Sequence, residues 1–188
     1  MTTVADWHTR ALDATGRIVA AIPADRWQAA TPCPEWDVRG LVNHLVSGNL
    51  WAAELGAGAT IEQVGERFDG DRLGADPAAA YAASASVTSD VFHRQGALDA
   101  PCAVSYGPVP GSVYAGHRFI DVLIHGWDLA TATGQDAQLE AGLTEACRAV
   151  AEPQIDVLRA SGAFGQGIPA PPVSSAQTRL LAQLGRRG

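Results

Sequence analysis

An acidic residue and a histidine at helical spacing are the first sign of chemistry in this sequence. Asp121 and His125 lie four residues apart in GSVYAGHRFIDVLIHGWDLATAT, residues 111–133. In a helix, the two side chains project from one face about one turn apart. A carboxylate and a neutral imidazole suit zinc and other first-row divalent metals, and a catalytic site of this type has three protein ligands and an open position. The third ligand must come from another segment.

The third ligand has two candidates, His44 and His117. His44 lies among leucines, on the face of its segment that we expect to point into a helix bundle, and bundle cores often hold metal ions. His117 shares a face with Asp121 and His125, but three consecutive turns spread the ligands over about 12 Å at about 1.5 Å per residue. We therefore predict a metal site of His44, Asp121 and His125, with His117 in the wall of the pocket.

Spacing alone leaves open that these histidines are ordinary hydrogen-bonded core residues, which are more common than metal ligands. Asp128, three residues after His125, would orient that imidazole or else pair with an arginine at the helix surface. Arg39, one turn before His44, would meet an anionic substrate or be a solvated residue at a helix start. Trp36 is expected in the core or in the pocket wall.

Helices are predicted to position these residues. Apolar residues at helical spacing predict helices over residues 3–22, 38 to about 55, 77 to about 95, 111–133, 139–159 with a break near Pro153, and 175–184. Asp37 can cap the second helix, and Gly134 can close the long one. The sequence is therefore that of a mostly helical protein.

Three segments are predicted to lie outside the helices. Residues 54–76 are rich in Gly and acidic residues and predict a mobile loop with one helical turn around 61–67. Residues 101–110 predict a short hairpin or extended loop. Residues 162–172 form a stretch rich in Gly and Pro.

Composition limits the remaining possibilities. With 188 residues, 47% of them hydrophobic, we expect one domain, 1–188, that is a monomer or a homodimer. A net charge of −7 without a basic cluster argues against nucleic acid as a partner. No apolar run approaches the roughly 20 residues needed to cross a membrane, and the start is unlike a signal peptide, so a cytoplasmic location is expected. The three cysteines are widely spaced and indicate neither a disulfide framework nor a thiolate zinc site.

Two longer strings resemble a known family. TPCPEWDVRGLVNHL (31–45) and DVLIHGWDLATATGQD (121–136) are similar to the signature segments of the mycothiol-dependent maleylpyruvate isomerases, whose N-terminal domain belongs to the DinB/YfiT-like metalloenzyme superfamily. The ending, SSAQTRLLAQLGRRG, resembles single-domain actinobacterial relatives, so the likeness covers essentially the whole chain. We do not expect the further C-terminal domain of the isomerase in this chain.

The resemblance implies an all-α fold, an antiparallel four-helix bundle with short extra helices. It also implies one metal ion, commonly zinc, held by a histidine of the second helix and an acidic-xxx-His pair of a later helix, which correspond to His44, Asp121 and His125. The isomerase has Glu at the position of Asp121, so the side chain of this chain is shorter there. In related enzymes a low-molecular-weight thiol, mycothiol or bacillithiol, is the cosubstrate.

Three functions fit such a site. The leading hypothesis is a metal-dependent S-transferase in which a divalent metal, zinc, activates a thiol such as mycothiol for attack on a small electrophilic metabolite. The first alternative is a thiol-independent hydrolase or isomerase, since zinc also lowers the pKa of bound water to about 7. The second alternative is a non-catalytic protein that binds a metal or a small molecule.

Overall fold

The computed structural model describes residues 1–160 and 165–187, and helices account for most of them. The helices are α1 (Val4–Ala20), α2 (Val38–Gly56), α3 (Ile61–Val64), α4 (Pro77–Phe92), α5 (Gly111–Thr133), α6 (Ala141–Ala151), α7 (Ile155–Ala160) and α8 (Ala176–Gln183), with a 3₁₀ turn at Glu152–Gln154. Strands β1 (Pro101–Val104) and β2 (Gly107–Pro110) pair antiparallel as a hairpin. Within the described ranges, no helix is both long enough and apolar enough to span a membrane.

The chain divides into two compact units, Met1–Asp136 and Ala137–Gly188. That the whole chain acts as one domain stays a prediction. Of the predicted stretch rich in Gly and Pro, residues 162–164 lie outside the described residues. The first unit contains all the predicted ligands.

Local capping explains where the helices of the first unit begin and end. The Asp37 carboxylate accepts a hydrogen bond from Gly40 N at 2.7 Å, as expected of an N-cap residue. Asp76 caps α4 in the same way, and Pro77 takes the first helical position, where a missing N–H costs nothing. Gly134 ends α5 with φ at 72°, a left-handed conformation that favours glycine. These local signals confirm the predicted starts of α2 and α4 and the predicted end of α5. The predicted end of α4 near residue 95 is three residues too late, since the helix ends at Phe92.

Four helices, α1, α2, α4 and α5, form a bundle in which α1 and α2 each pack against both α4 and α5. The core is apolar, with Leu41, Leu45, Tyr81, Phe92 and Phe119 among its largest fully buried side chains. The predicted all-α bundle with a small hairpin is therefore confirmed.

Residue contacts define the direction of each helix. Helix α1 runs antiparallel to α4, because Thr9 contacts Ser89 and Leu12 contacts Tyr81. Helix α2 runs antiparallel to α5, because His44 contacts Asp121 and Asn49 contacts Arg118. The parallel neighbours include α1 with α5, where Thr15 bonds Val122 and Ala5 and Ala115 belong to one buried cluster. The other parallel pair is α2 with α4, through Asn49–Ser84 and Gly56–Val91. The bundle thus combines two antiparallel and two parallel pairs, so the expected antiparallel arrangement applies to only two of its four neighbouring pairs.

The parallel pairing of α2 and α4 explains the segment between them. Because both helices run the same way, residues 57–76 must return along the whole length of α2. This helix has 19 residues and is therefore about 28 Å long. Ser47 Oγ donates to Phe68 O at 3.1 Å, and Asn43 Nδ2 donates to Gly70 O at 3.0 Å. The sequence predicted a mobile loop here, whereas the structure shows a crossover hydrogen-bonded to α2.

The second unit is built on the packing of α6 and α8. Leu143 and Cys147 of α6 and Leu180 and Leu181 of α8 are buried. Ser175 caps α8, since its hydroxyl accepts from Thr178 N at 3.0 Å. The predicted final helix is confirmed with its cap at Ser175.

Candidate metal centre

The structure brings His44, Asp121 and His125 together. His44 Nε2 lies 3.3 Å from Asp121 Oδ1, and His125 Nε2 lies 3.4 Å from the same oxygen. One ligand atom from each of the three residues lies within 4.8 Å of the other two. The two imidazole rings are nearly perpendicular, with centroids 5.2 Å apart. Three potential ligands from two helices therefore converge on one point.

Helix geometry produces this convergence. The spacing of four residues places Asp121 and His125 on one face of α5, and the antiparallel packing of α2 sets His44 opposite them. Side-chain exposure rises from 2% for His125 through 13% for Asp121 to 30% for His44. The cluster is thus buried on the α5 side and open to solvent on the α2 side.

Asp128 orients the His125 ring from behind. Asp128 is fully buried, and its Oδ2 lies 2.9 Å from His125 Nδ1, which therefore donates to the carboxylate. This bond leaves Nε2 as the nitrogen that faces Asp121, which is the usual role of a carboxylate behind a metal-binding histidine. Of the two alternatives left by the sequence, the structure shows the contact with the imidazole.

Arg118 is a residue of this cluster that the sequence analysis missed. Its Nη1 donates to Asp121 Oδ2 at 2.9 Å, and its Nη2 donates to Asn49 Oδ1 at 3.1 Å. The side chain is only 9% exposed. One signal was present: an arginine inside the apolar run of α5 must find a buried partner, and Asp121 follows it by three residues.

Burial and charge set the protonation of the cluster. Burial alone would raise the pKa of Asp121, but Arg118, His44 and His125 hold it well below its ordinary value. Burial opposes a charge on His125, yet Asp121 and Asp128 outweigh it and raise the pKa of His125 to about 9. Asp121 is therefore an anion near neutral pH, as a metal ligand must be, whereas His125 is protonated there and must release a proton when it binds a metal ion.

A groove of about 570 Å³ lies beside His44. Its walls include the aromatic residues Trp36 and Phe68 and the polar residues Asn43 and Ser47. The Trp36 ring stacks on the His44 imidazole, with centroids 4.3 Å apart and 19° between the planes. Trp36 thus lies in the wall of this groove, one of the two places expected for it.

Two other candidate residues have partners outside the cluster. His117 Nδ1 forms a hydrogen bond with the Tyr106 hydroxyl of the hairpin. That His117 belongs to the pocket wall stays a prediction. Arg39 forms a salt bridge with Asp71 of the crossover at 2.7 Å, and its side chain is 42% exposed. This position matches the alternative of a solvated arginine at a helix start.

The donor chemistry of the cluster fits a divalent metal ion. Two imidazole nitrogens and one carboxylate oxygen are the ligand types of catalytic zinc sites, and such sites keep a further position open to water or substrate. The exposure of His44 and the adjoining groove provide access from one side. That His44, Asp121 and His125 bind a metal ion stays a prediction.

Known proteins are similar to this chain in sequence or in fold. A family profile described as the mycothiol maleylpyruvate isomerase N-terminal domain matches residues 8–130. Two uncharacterised proteins of Mycobacterium tuberculosis, from strains CDC 1551 / Oshkosh and ATCC 25618 / H37Rv, are each 37% identical to this chain over 188 residues, which is 95% of either sequence. A crystal structure of a histidine-to-alanine mutant of mycothiol-dependent maleylpyruvate isomerase superposes with a TM-score of 0.64 over 82% of this chain and 72% of that one. At 14% identity, this likeness concerns the fold.

Proposed function

The chain belongs to the family of the mycothiol maleylpyruvate isomerase N-terminal domain, and from this membership we propose that it is a metal-dependent enzyme that joins a thiol such as mycothiol to a small electrophilic metabolite. The observation that carries the proposal is the convergence of His44, Asp121 and His125, with ligand atoms within 4.8 Å of one another, beside an open groove. We propose Zn²⁺ as the cation, because two imidazoles and one carboxylate suit it.

The three ligands of the proposed site are held by different means. His125 is fixed by the buried Asp128, and Asp121 is fixed by Arg118. His44, the most exposed of the three, is held by the stacked ring of Trp36. When bound, a divalent cation lowers the pKa of a thiol or of water near it and so supplies an anionic nucleophile near neutral pH.

The groove supplies a place for the second substrate. Trp36 and Phe68 offer apolar surface that excludes water, while Asn43 and Ser47 are fixed by hydrogen bonds to the crossover. Small-molecule sites generally combine such apolar walls with a few positioned polar groups. We propose that the electrophile binds in this groove, on the exposed side of His44.

A two-part experiment tests this proposal. Zinc binding to the purified chain is measured by competition with a chromophoric chelator, for the natural protein and for His44→Ala and Asp121→Ala. We expect one zinc ion per chain, and strongly weakened binding in both variants because each loses a ligand. Consumption of mycothiol is then followed with a panel of electrophiles. For maleylpyruvate, formation of the isomer is followed with and without mycothiol instead, because an isomerisation returns the thiol.

The results separate the three functions considered. Thiol consumption that needs zinc and fails in His44→Ala supports the S-transferase. Turnover of an electrophile with zinc alone would favour the hydrolase or isomerase. Zinc binding without any turnover would favour a binding protein, and failure to bind zinc would contradict the metal site itself.

A further inference from the structure

The two oxygens of the Asp121 carboxylate have different partners. Oδ1 faces the imidazoles, at 3.3 Å from His44 Nε2 and 3.4 Å from His125 Nε2. Oδ2 accepts the Nη1–H of Arg118 at 2.9 Å. A hydrogen bond between two charged groups is among the strongest in proteins, so this division is well defined.

Arg118 is itself held in place by a chain of buried polar groups. Its Nη2 donates to Asn49 Oδ1 at 3.1 Å, and Asn49 Nδ2 donates to Ser84 Oγ at 3.2 Å. The Ser84 hydroxyl then donates to Tyr81 O at 2.9 Å. Asn49 and Ser84 are both buried. This series of hydrogen bonds links α5 to α2 and then to α4, and it gives the Arg118 guanidinium one orientation.

Gly48 provides the space that the guanidinium occupies. A Cβ atom at this position would lie 2.5 Å from Arg118 Nη1 and 2.8 Å from its Cζ. Real Cβ contacts are not that short, and the atoms in the way belong to the flexible end of a side chain. A side chain at position 48 would therefore displace the Arg118 guanidinium, although no charged residue of the cluster is replaced.

We propose that Arg118 is a positioning residue that restricts Asp121 to a single oxygen ligand, Oδ1, for the cation. The inference rests on the proposed metal site and concerns how that site is kept open. A carboxylate free to turn can bind a metal through both oxygens, which fills a further coordination position. With Oδ2 bound to Arg118, that position stays available to a substrate.

Cobalt(II) in place of zinc tests this inference without any substrate. The visible absorption of high-spin cobalt is intense with four ligands and much weaker with five or six, so it reports the number of donors. Spectra are recorded for the natural protein, for Arg118→Met, which removes the charge, and for Arg118→Lys, which keeps the charge but lacks the fork that reaches both Asp121 and Asn49.

Two glycine variants complete the set. Gly48→Ala displaces Arg118 without removing it, whereas Gly16→Ala, in α1, adds the same methyl group beside the Tyr81 ring. The pair therefore shares the general effect of replacing a helical glycine, and it keeps the test informative if Arg118→Met does not fold.

We expect a loss of cobalt absorption in Arg118→Met and in Gly48→Ala, a smaller loss in Arg118→Lys, and the natural spectrum in Gly16→Ala. Natural spectra in both Arg118→Met and Gly48→Ala would overturn the role of Arg118 while leaving the metal site intact. A natural protein that binds neither cobalt nor zinc would instead overturn the proposed function, and the inference with it.

Discussion

Replacement of Asp128 by Asn should weaken zinc binding although Asp128 is not one of the proposed ligands. The Asp128 carboxylate is fully buried and accepts a hydrogen bond from His125 Nδ1 at 2.9 Å. An asparagine of nearly the same shape can still accept this bond through its amide oxygen. It removes the negative charge that favours a positively polarised His125 ring, so the ring becomes a weaker metal ligand.

The expected loss of zinc affinity follows from what each substitution removes. Changes at residues that support metal ligands typically cost about 10- to 100-fold in affinity. Asp128→Asn keeps the hydrogen bond and should lie near tenfold, or about 1.4 kcal/mol. Asp128→Ala also leaves His125 Nδ1 without this acceptor inside the core and should lie near 100-fold, or about 2.7 kcal/mol.

Competition with a chromophoric chelator at pH 7.5 measures these dissociation constants. Asp90→Asn, an exposed change on α4 that removes the same charge, is the control and should bind zinc like the natural protein. If Asp128→Asn and Asp128→Ala both bind zinc within twofold of the natural protein, the argument that Asp128 supports a metal-bound His125 is refuted.

Three further predictions concern the packing of the molecule. Gly126→Ala should lower the free energy of unfolding by about 1–3 kcal/mol, because its Cβ would collide with Thr15 Oγ1, and Thr15→Ala should relieve part of this loss in urea titrations. His8→Leu should raise the free energy of unfolding by about 1–2 kcal/mol. His8 is fully buried, burial lowers its pKa to about 3, and neither ring nitrogen has a hydrogen-bond partner among the described residues. A lower free energy of unfolding in urea titrations would contradict this reasoning. An aromatic disulfide reagent should modify Cys33, which is partly exposed, far faster than the two buried cysteines, and equal rates at all three would contradict the observed burial.

Local rules explain which features were predictable from sequence. The spacing of Asp121 and His125 and the glycine at position 134 each act over one or two turns of helix. The cap at Asp37 acts over three residues. Such short-range effects are independent of the rest of the fold, so these helix boundaries and the pair of candidate ligands on α5 could be inferred directly.

Long-range pairings were not accessible in the same way. Arg118 meets Asn49 across 69 positions in sequence, and no periodicity reports such a contact. The crossover was interpreted as a mobile loop because its glycines and acidic residues are typical of loops. Its actual course follows from the parallel packing of α2 and α4, which only the tertiary structure reveals.

The pairing of the first bundle helix with the last one has a consequence for biosynthesis. Thr15 of α1 contacts Val122 of α5, 107 positions later. Ribosomes add about 5–20 residues per second, so the apolar stripe of α1 remains unpaired for roughly 5–20 s until α5 has been synthesised. During that interval a nascent chain presents this stripe to chaperones, and its lone His44 has no companion ligands. Metal loading on the proposed site must therefore come late, once α5 has emerged and docked.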